Sequence, residues 1–131
     1  RQRYFFDTSA VLAIVRGEPA EQAVRALLLR LKASQCATSV LVIYELHRGA
    51  PSPSARGTAQ QRVIGELTDR MTAKPVTRAH ALKAAELFRK GVTRGAVDPL
   101  IAAQCLEGGF TLVTTNRADF ERVPGLDLAE L

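Results

Sequence analysis

The sequence predicts an α/β domain, a three-layer sandwich in which a short central parallel sheet is flanked by helices. Two observations lead there. Short apolar segments alternate with longer ones whose apolar residues recur at helical spacing, the rhythm of strand–helix–strand units. The chain has 131 residues, 47% of them hydrophobic and 24% charged, which suits one buried core rather than two. No internal repeat or low-complexity tract breaks the rhythm, so residues 1–131 are expected to form a single domain.

The elements follow in order. Residues 3–6 read as a strand ending at Asp7. Thr8 and Ser9 suit the cap of a helix over residues 10–15, closed by Gly17. Pro19 fits the first turn of a second helix to about residue 33, with Ala23, Leu27, Leu28 and Leu31 at helical spacing. Residues 36–38 are a short strand, and Ser39 caps a helix over residues 40–48. Residues 50–57, with two Pro, two Ser and a Gly, read as a loop. A helix over residues 58–71, a strand at 74–76 and a helix from Thr77 to Lys90 follow. Residues 91–97 form a basic loop. Asp98-Pro99 looks like an N-cap and first-turn proline opening a helix over residues 100–106, ended by Gly108 and Gly109. Residues 111–114 are a β-branched strand, followed by a turn of helix around Asp119 and a last strand near residues 126–128.

Composition removes several classes of function. Outside the first helix the longest wholly apolar run is residues 40–44, far below the roughly 20 residues of a membrane span. No signal-peptide pattern is visible at the N-terminus. Cys36 and Cys105 stand in apolar contexts without C-x-x-C spacing, which disfavours zinc and disulfides and makes a reducing cytoplasm the expectation. Eighteen basic residues, fourteen of them Arg, against thirteen acidic ones give +5, compatible with a polyanionic partner. Seven aromatics and no Trp argue against a base-stacking platform, so contact with nucleic acid would be through charge. G-x-S-x-G, Walker and G-x-G-x-x-G motifs are absent.

Ligands of open parallel sheets bind beyond the carboxyl ends of the strands. Asp7 follows the first strand, and Asn116 and Asp119 follow the β-branched one. Asp98 heads the helix before that strand, and Glu45 lies on the helix after residues 36–38. Four carboxylates at one end of a sheet repel one another unless a cation sits among them. Without a His or Cys cluster, a hard ion such as Mg²⁺ or Mn²⁺ is the natural candidate. Each residue also has a structural reading: Asp7, Asp98 and Asp119 as helix caps, Glu45 as an outward-facing helix residue. Glu45 inside Val40-Leu41-Val42-Ile43-Tyr44-Glu45-Leu46 is the hardest to dismiss, because a carboxylate in an apolar helix is costly unless paired or metal-bound. His47 and His80 read as surface or packing residues.

Phe6-Asp7-Thr8-Ser9-Ala10, Tyr44-Glu45-Leu46, Val97-Asp98-Pro99-Leu100-Ile101-Ala102-Ala103, Leu112-Val113-Thr114-Thr115-Asn116-Arg117-Ala118-Asp119-Phe120 and Val123-Pro124-Gly125-Leu126 together resemble the PIN-domain ribonucleases. Within them the sequence is similar to VapC-type toxins of bacterial toxin–antitoxin pairs, over essentially the whole chain. The resemblance implies a Mg²⁺- or Mn²⁺-dependent endoribonuclease, a homodimer, and inhibition by a small VapB-type antitoxin whose C-terminal part covers the active site. It maps the catalytic and metal-binding acids onto Asp7, Glu45, Asp98 and Asp119. Asn116 is the polar neighbour of the last, and Thr8 and Ser9 are placed to orient a metal-bound water. Arg94 and Arg117 are placed to steer RNA. Ala96-Val97 precedes Asp98 where many relatives carry another acid, so one metal ion or two both stay open. The apolar positions Val11, Leu12, Ala23, Leu27 and Leu31 suggest a face shared with a second copy or an antitoxin helix.

Two other readings remain. A haloacid-dehalogenase-like phosphatase also puts an Asp after the first strand, but wants a second two residues on, where Ser9 stands. A catalytically degenerate PIN-like fold would act only as a binding partner, although all four acids are in place.

Overall fold

The computed structural model describes residues 1–49 and 55–131. Its centre is β1 (Tyr4–Phe6), whose Phe5 and Phe6 are completely buried. The chain continues through α1 (Thr8–Arg16) and α2 (Glu21–Arg30) to β2 (Cys36–Ser39). From there it runs through α3 (Val40–Arg48) and α4 (Ala55–Thr68) to β3 (Thr72–Lys74). It then crosses back through α5 (Arg78–Arg89) and α6 (Asp98–Gly108) to β4 (Thr111–Val113) and β5 (Asp127–Leu128). The sheet order is β3-β2-β1-β4-β5 and all four pairings are parallel, as the alternation of elements predicts. Both faces of the central strands are covered, so Leu112, Val113, Val42 and Ile101 join the two phenylalanines in one core.

The boundaries differ where local chemistry intervenes. β3 occupies residues 72–74, two positions earlier than the expected 74–76. Pro75 has no N–H to give to a ladder, and the partner strand β2 ends at Ser39, which faces Lys74. The Gln104 amide then holds the strand end, donating to the carbonyls of Lys74 (3.1 Å) and Pro75 (3.0 Å). Of the loop expected over residues 50–57, residues 50–54 lie outside the described residues, and helix α4 already begins at Ala55. Helix α6 starts at Asp98 itself, with Val97 in the capping position. Asp98 is therefore not the N-cap the sequence suggests.

The expected partner face divides between core and surface, with Leu12, Ala23 and Leu31 only partly buried. Val11 (1% exposed) and Leu27 (5%) are core residues, because α2 folds back onto α1, and Leu12 and Leu31 pack against the same core. The large apolar side chains left in solvent are elsewhere, among them Tyr44, Leu82 and Phe88. Cys36 and Cys105 are free and buried. No helix among the described residues is long and apolar enough to cross a membrane.

Candidate active site

The order β3-β2-β1-β4-β5 makes the chain reverse direction across the sheet between β1 and β4. In an open parallel sheet that reversal leaves a crevice beyond the strand ends. A cleft of about 340 Å³ lies there, lined among others by Asp7, Glu18, Glu45, Asp98, Arg16 and Asn116.

Asp7 leaves β1 with its N–H donating to the Val113 carbonyl of β4 (3.2 Å), which fixes it at the junction of the two strands. It caps α1: its Oδ1 accepts from the Ala10 N–H (3.0 Å) and from the Ser9 hydroxyl (2.7 Å). Asp7 is therefore at once the cap of α1 and part of the cleft wall. Burial raises its pKa, and hydrogen bonds from Thr114, Ser9 and the Ala10 amide pull the other way. Ser9 Oγ also accepts from the Thr115 N–H (3.0 Å) and lies 3.1 Å from Thr114 Oγ1, joining the start of α1 to the end of β4.

Glu45 projects from α3 to the first turn of α1, where its Oε1 accepts from the Thr8 hydroxyl (2.7 Å). Thr8 and Ser9 thus each give their single hydroxyl proton to a carboxylate. These bonds hold the two acids in place. Asp98 sits on the first turn of α6 with no capping duty. Its carboxyl is pushed up to about 6, first by partial burial and then by the charges of Asp7, Asp119 and Glu45. All four predicted acids therefore share one electrostatic neighbourhood.

They do not all share one wall. Asp7, Glu45 and Asp98 line the cleft, whereas Asp119, at the end of a 3₁₀ turn (Arg117–Asp119), lines a neighbouring recess with Arg94. Arg117 stands away from the cleft. Its guanidinium donates to the Ala129 carbonyl (2.7 Å) and stands 4.0 Å from Glu130, so it fastens the C-terminal segment and does not line the cleft. The cation that does line it is Arg16, with Glu18 nearby, and neither was singled out from the sequence. The signal was the α1 register: Thr8, Leu12 and Arg16 are four residues apart and all three line the cleft.

The donor set suits a hard divalent ion. Carboxylate oxygens dominate, four acids against one arginine, and Asp98 resists ionisation because of its partial burial and then its neighbours' charge. Among the described residues no three His, Cys, Asp or Glu side chains are arranged to hold an ion by themselves. A divalent ion held here would take the rest of its shell from waters and substrate phosphate.

The profile of the PIN domain family matches residues 4–126. The chain belongs to the PIN-domain family. Within the family its likeness is to VapC proteins. Ribonuclease VapC2 of Haemophilus influenzae is 30% identical over 128 residues, covering 95% of this chain and 94% of that one. The tRNA(fMet)-specific endonuclease VapC of Salmonella typhimurium is 27% identical over 133 residues, covering 98% and 97%. The crystal structure of VapBC2 from Rickettsia felis, bound to a DNA fragment from its promoter, superposes with a TM-score of 0.81 at 25% identity over 99% of both chains. The DNA-bound VapBC of Salmonella typhimurium gives 0.78 at 26% identity over 98% of both. The PIN likeness read from the sequence motifs and the α/β sandwich both stand.

Proposed function

We propose that this PIN-domain chain is an endoribonuclease toxin that hydrolyses RNA phosphodiester bonds with a divalent ion, Mg²⁺ or Mn²⁺, and is neutralised by a VapB-type antitoxin. The observation that carries the reading is the meeting of Asp7, Glu45 and Asp98, from three separate segments, in one cleft at the sheet reversal. Asp7 and Asp98, with Glu45, are the groups that would hold the ion. When bound, it would neutralise phosphoryl oxygens and lower the pKa of water at the site.

The chain's own part is positioning and proton handling. Ser9 and the Ala10 amide aim Asp7, and Thr8 aims Glu45. The free carboxylate oxygens around the cleft are the bases available to a water proton. Arg16 is the cation on the cleft wall suited to a substrate phosphate. RNA, an antitoxin and a second copy of the chain are the partners. Exposed Leu82 and Phe88 on α5 are apolar surface that a homodimer would cover.

For the antitoxin, a narrow groove opens from the cleft between α1, α3 and α4, its wall mixing Leu12, Val15, Leu46 and Ile64 with Arg16, Glu45 and Gln60. An amphipathic helix lying there would bring the chain that follows it to the acids. Incubating the protein with RNA and Mg²⁺ or Mn²⁺, with EDTA and Asp98→Asn as controls, tests the enzyme reading. Cleavage that needs the metal and is lost in Asp98→Asn supports it. Cleavage that persists in EDTA, or none by the wild type, sinks it and leaves a binding role.

A further inference from the structure

Beside the acidic cleft is a recess of about 210 Å³ lined by Val92, Thr93, Arg94, Ala118, Asp119 and Arg122. Its walls are the loop entering α6 and the turn leaving β4, the two segments that also deliver Asp98 and Asn116 to the cleft. The loop is shaped for its place: Gly91 (φ 71°) and Gly95 (φ 77°) take left-handed conformations on either side of Thr93 and Arg94. Arg122 ties the two walls together, one guanidinium N–H donating to the Gly91 carbonyl at 2.9 Å. The rest of its planar fork has no hydrogen bond among the described residues, and neither has the exposed Arg94. Thr93 is 3% exposed, and its hydroxyl is buried without a hydrogen-bond partner among the described residues.

The charges of the two depressions are opposite in sense. Four carboxylates and one arginine line the cleft, while two arginines and one carboxylate line the recess. They are also close, since the charge of Asp119 on the recess wall is felt by Asp98 in the cleft. A nucleic-acid backbone is repelled by the cleft and needs cations beside it to be held there.

We propose that the recess formed by Arg94, Arg122 and Thr93 binds a backbone phosphate of the RNA strand flanking the one in the acidic cleft. This rests on the ribonuclease reading. The guanidinium forks are matched to phosphate oxygens in charge and geometry. The Thr93 hydroxyl is a donor with no partner among the described residues. One phosphate anchored in the recess would set the register in which the next enters the cleft.

The test is fluorescence anisotropy of a labelled single-stranded oligoribonucleotide, titrated in EDTA across a salt series. A parallel cleavage assay with Mg²⁺ or Mn²⁺ is run on the wild type. Arg94→Gln and Arg122→Gln are each expected to weaken binding several-fold and to flatten the log Kd against log salt slope by about 0.7. Arg25→Gln on α2, which lines neither depression, is the reference. Thr93→Val should weaken binding while leaving the melting temperature unchanged or raised, because an isosteric methyl replaces an unpartnered buried hydroxyl. Among the described residues Arg94 makes no hydrogen bond, so its variant stays informative if Arg122→Gln loosens the loop. Losses no greater than those of Arg25→Gln overturn the proposal. So does weaker antitoxin binding with RNA affinity intact, which would give the recess to the protein partner. Slopes that fall while the wild type cleaves nothing would support the recess and sink the ribonuclease reading. Cleavage with unchanged slopes would do the reverse.

Discussion

Asp98 is held near a pKa of about 6 by partial burial and three neighbouring carboxylates, and it makes no compensating hydrogen bond as a cap. The folded chain therefore keeps this proton more tightly than the unfolded one, whose carboxyl titrates near 3.8. Stability contributed by the protonated form is present below 3.8, falls as pH rises through about 6, and is flat above. Asp98→Asn removes that loss. In EDTA it should raise stability above pH 6 by about 1 kcal/mol, since water still reaches the group and screens it. The gain should vanish below pH 4, and thermal melts across the range check this. The same residue must ionise to hold a cation, so cleavage at limiting metal should rise with pH through about 6. Asp7 has two duties and its variants separate them. Asn can still accept from Ala10 and Ser9, so Asp7→Asn should melt near wild type while losing cleavage. Asp7→Ala should lose about 1 kcal/mol with the cap.

At the level of elements, the alternation of strand and helix was legible because period-2 and period-3.6 patterns survive in short segments, but the ends were less so. The end of β3 depends on Pro75 and on where β2 stops, and the second is a property of a different segment. The placement of Arg117 was hidden in the same way, because its partner carbonyl belongs to Ala129, twelve residues on. Gly108 and Gly109 end the helix together, yet they do different work. Gly109 takes the left-handed C-cap (φ 68°), whereas a Cβ at Gly108 would run into the ring of Phe110. That ring is buried and packs edge-on to Phe5 at 5.3 Å. Gly108→Ala should therefore destabilise by about 1–3 kcal/mol through overpacking, measurable by urea denaturation.

For the whole molecule, the parallel topology turns acids that are distant in sequence into neighbours, and a cation should stabilise that arrangement. Mg²⁺ or Mn²⁺ should raise the melting temperature of the wild type at pH 7.5 and lose most of this effect in Asp98→Asn; equal shifts in both would move the ion elsewhere. The groove between α1, α3 and α4 runs into the same cleft, since Leu12, Arg16 and Glu45 line both. A basic side chain arriving along it from an antitoxin would satisfy the carboxylates as a cation does. Inhibition would then yield to added metal. Titrating Mn²⁺ against the assembled complex checks this, and activity that never recovers would leave steric blocking of RNA as the mechanism.

The sequence by itself determined the class of fold, the positions of the strand-end acids and the family, since each is written in local pattern or contiguous motif. Tertiary structure decided which acids meet. Asp7, Glu45 and Asp98 converge because the end of β1, one face of α3 and the start of α6 meet at one crevice, while Asp119 is turned to the next recess by the 3₁₀ turn that carries it. It also decided the cations: Arg16 reaches the cleft by its register on α1, and Arg117 does not, because its guanidinium is held at the Ala129 carbonyl.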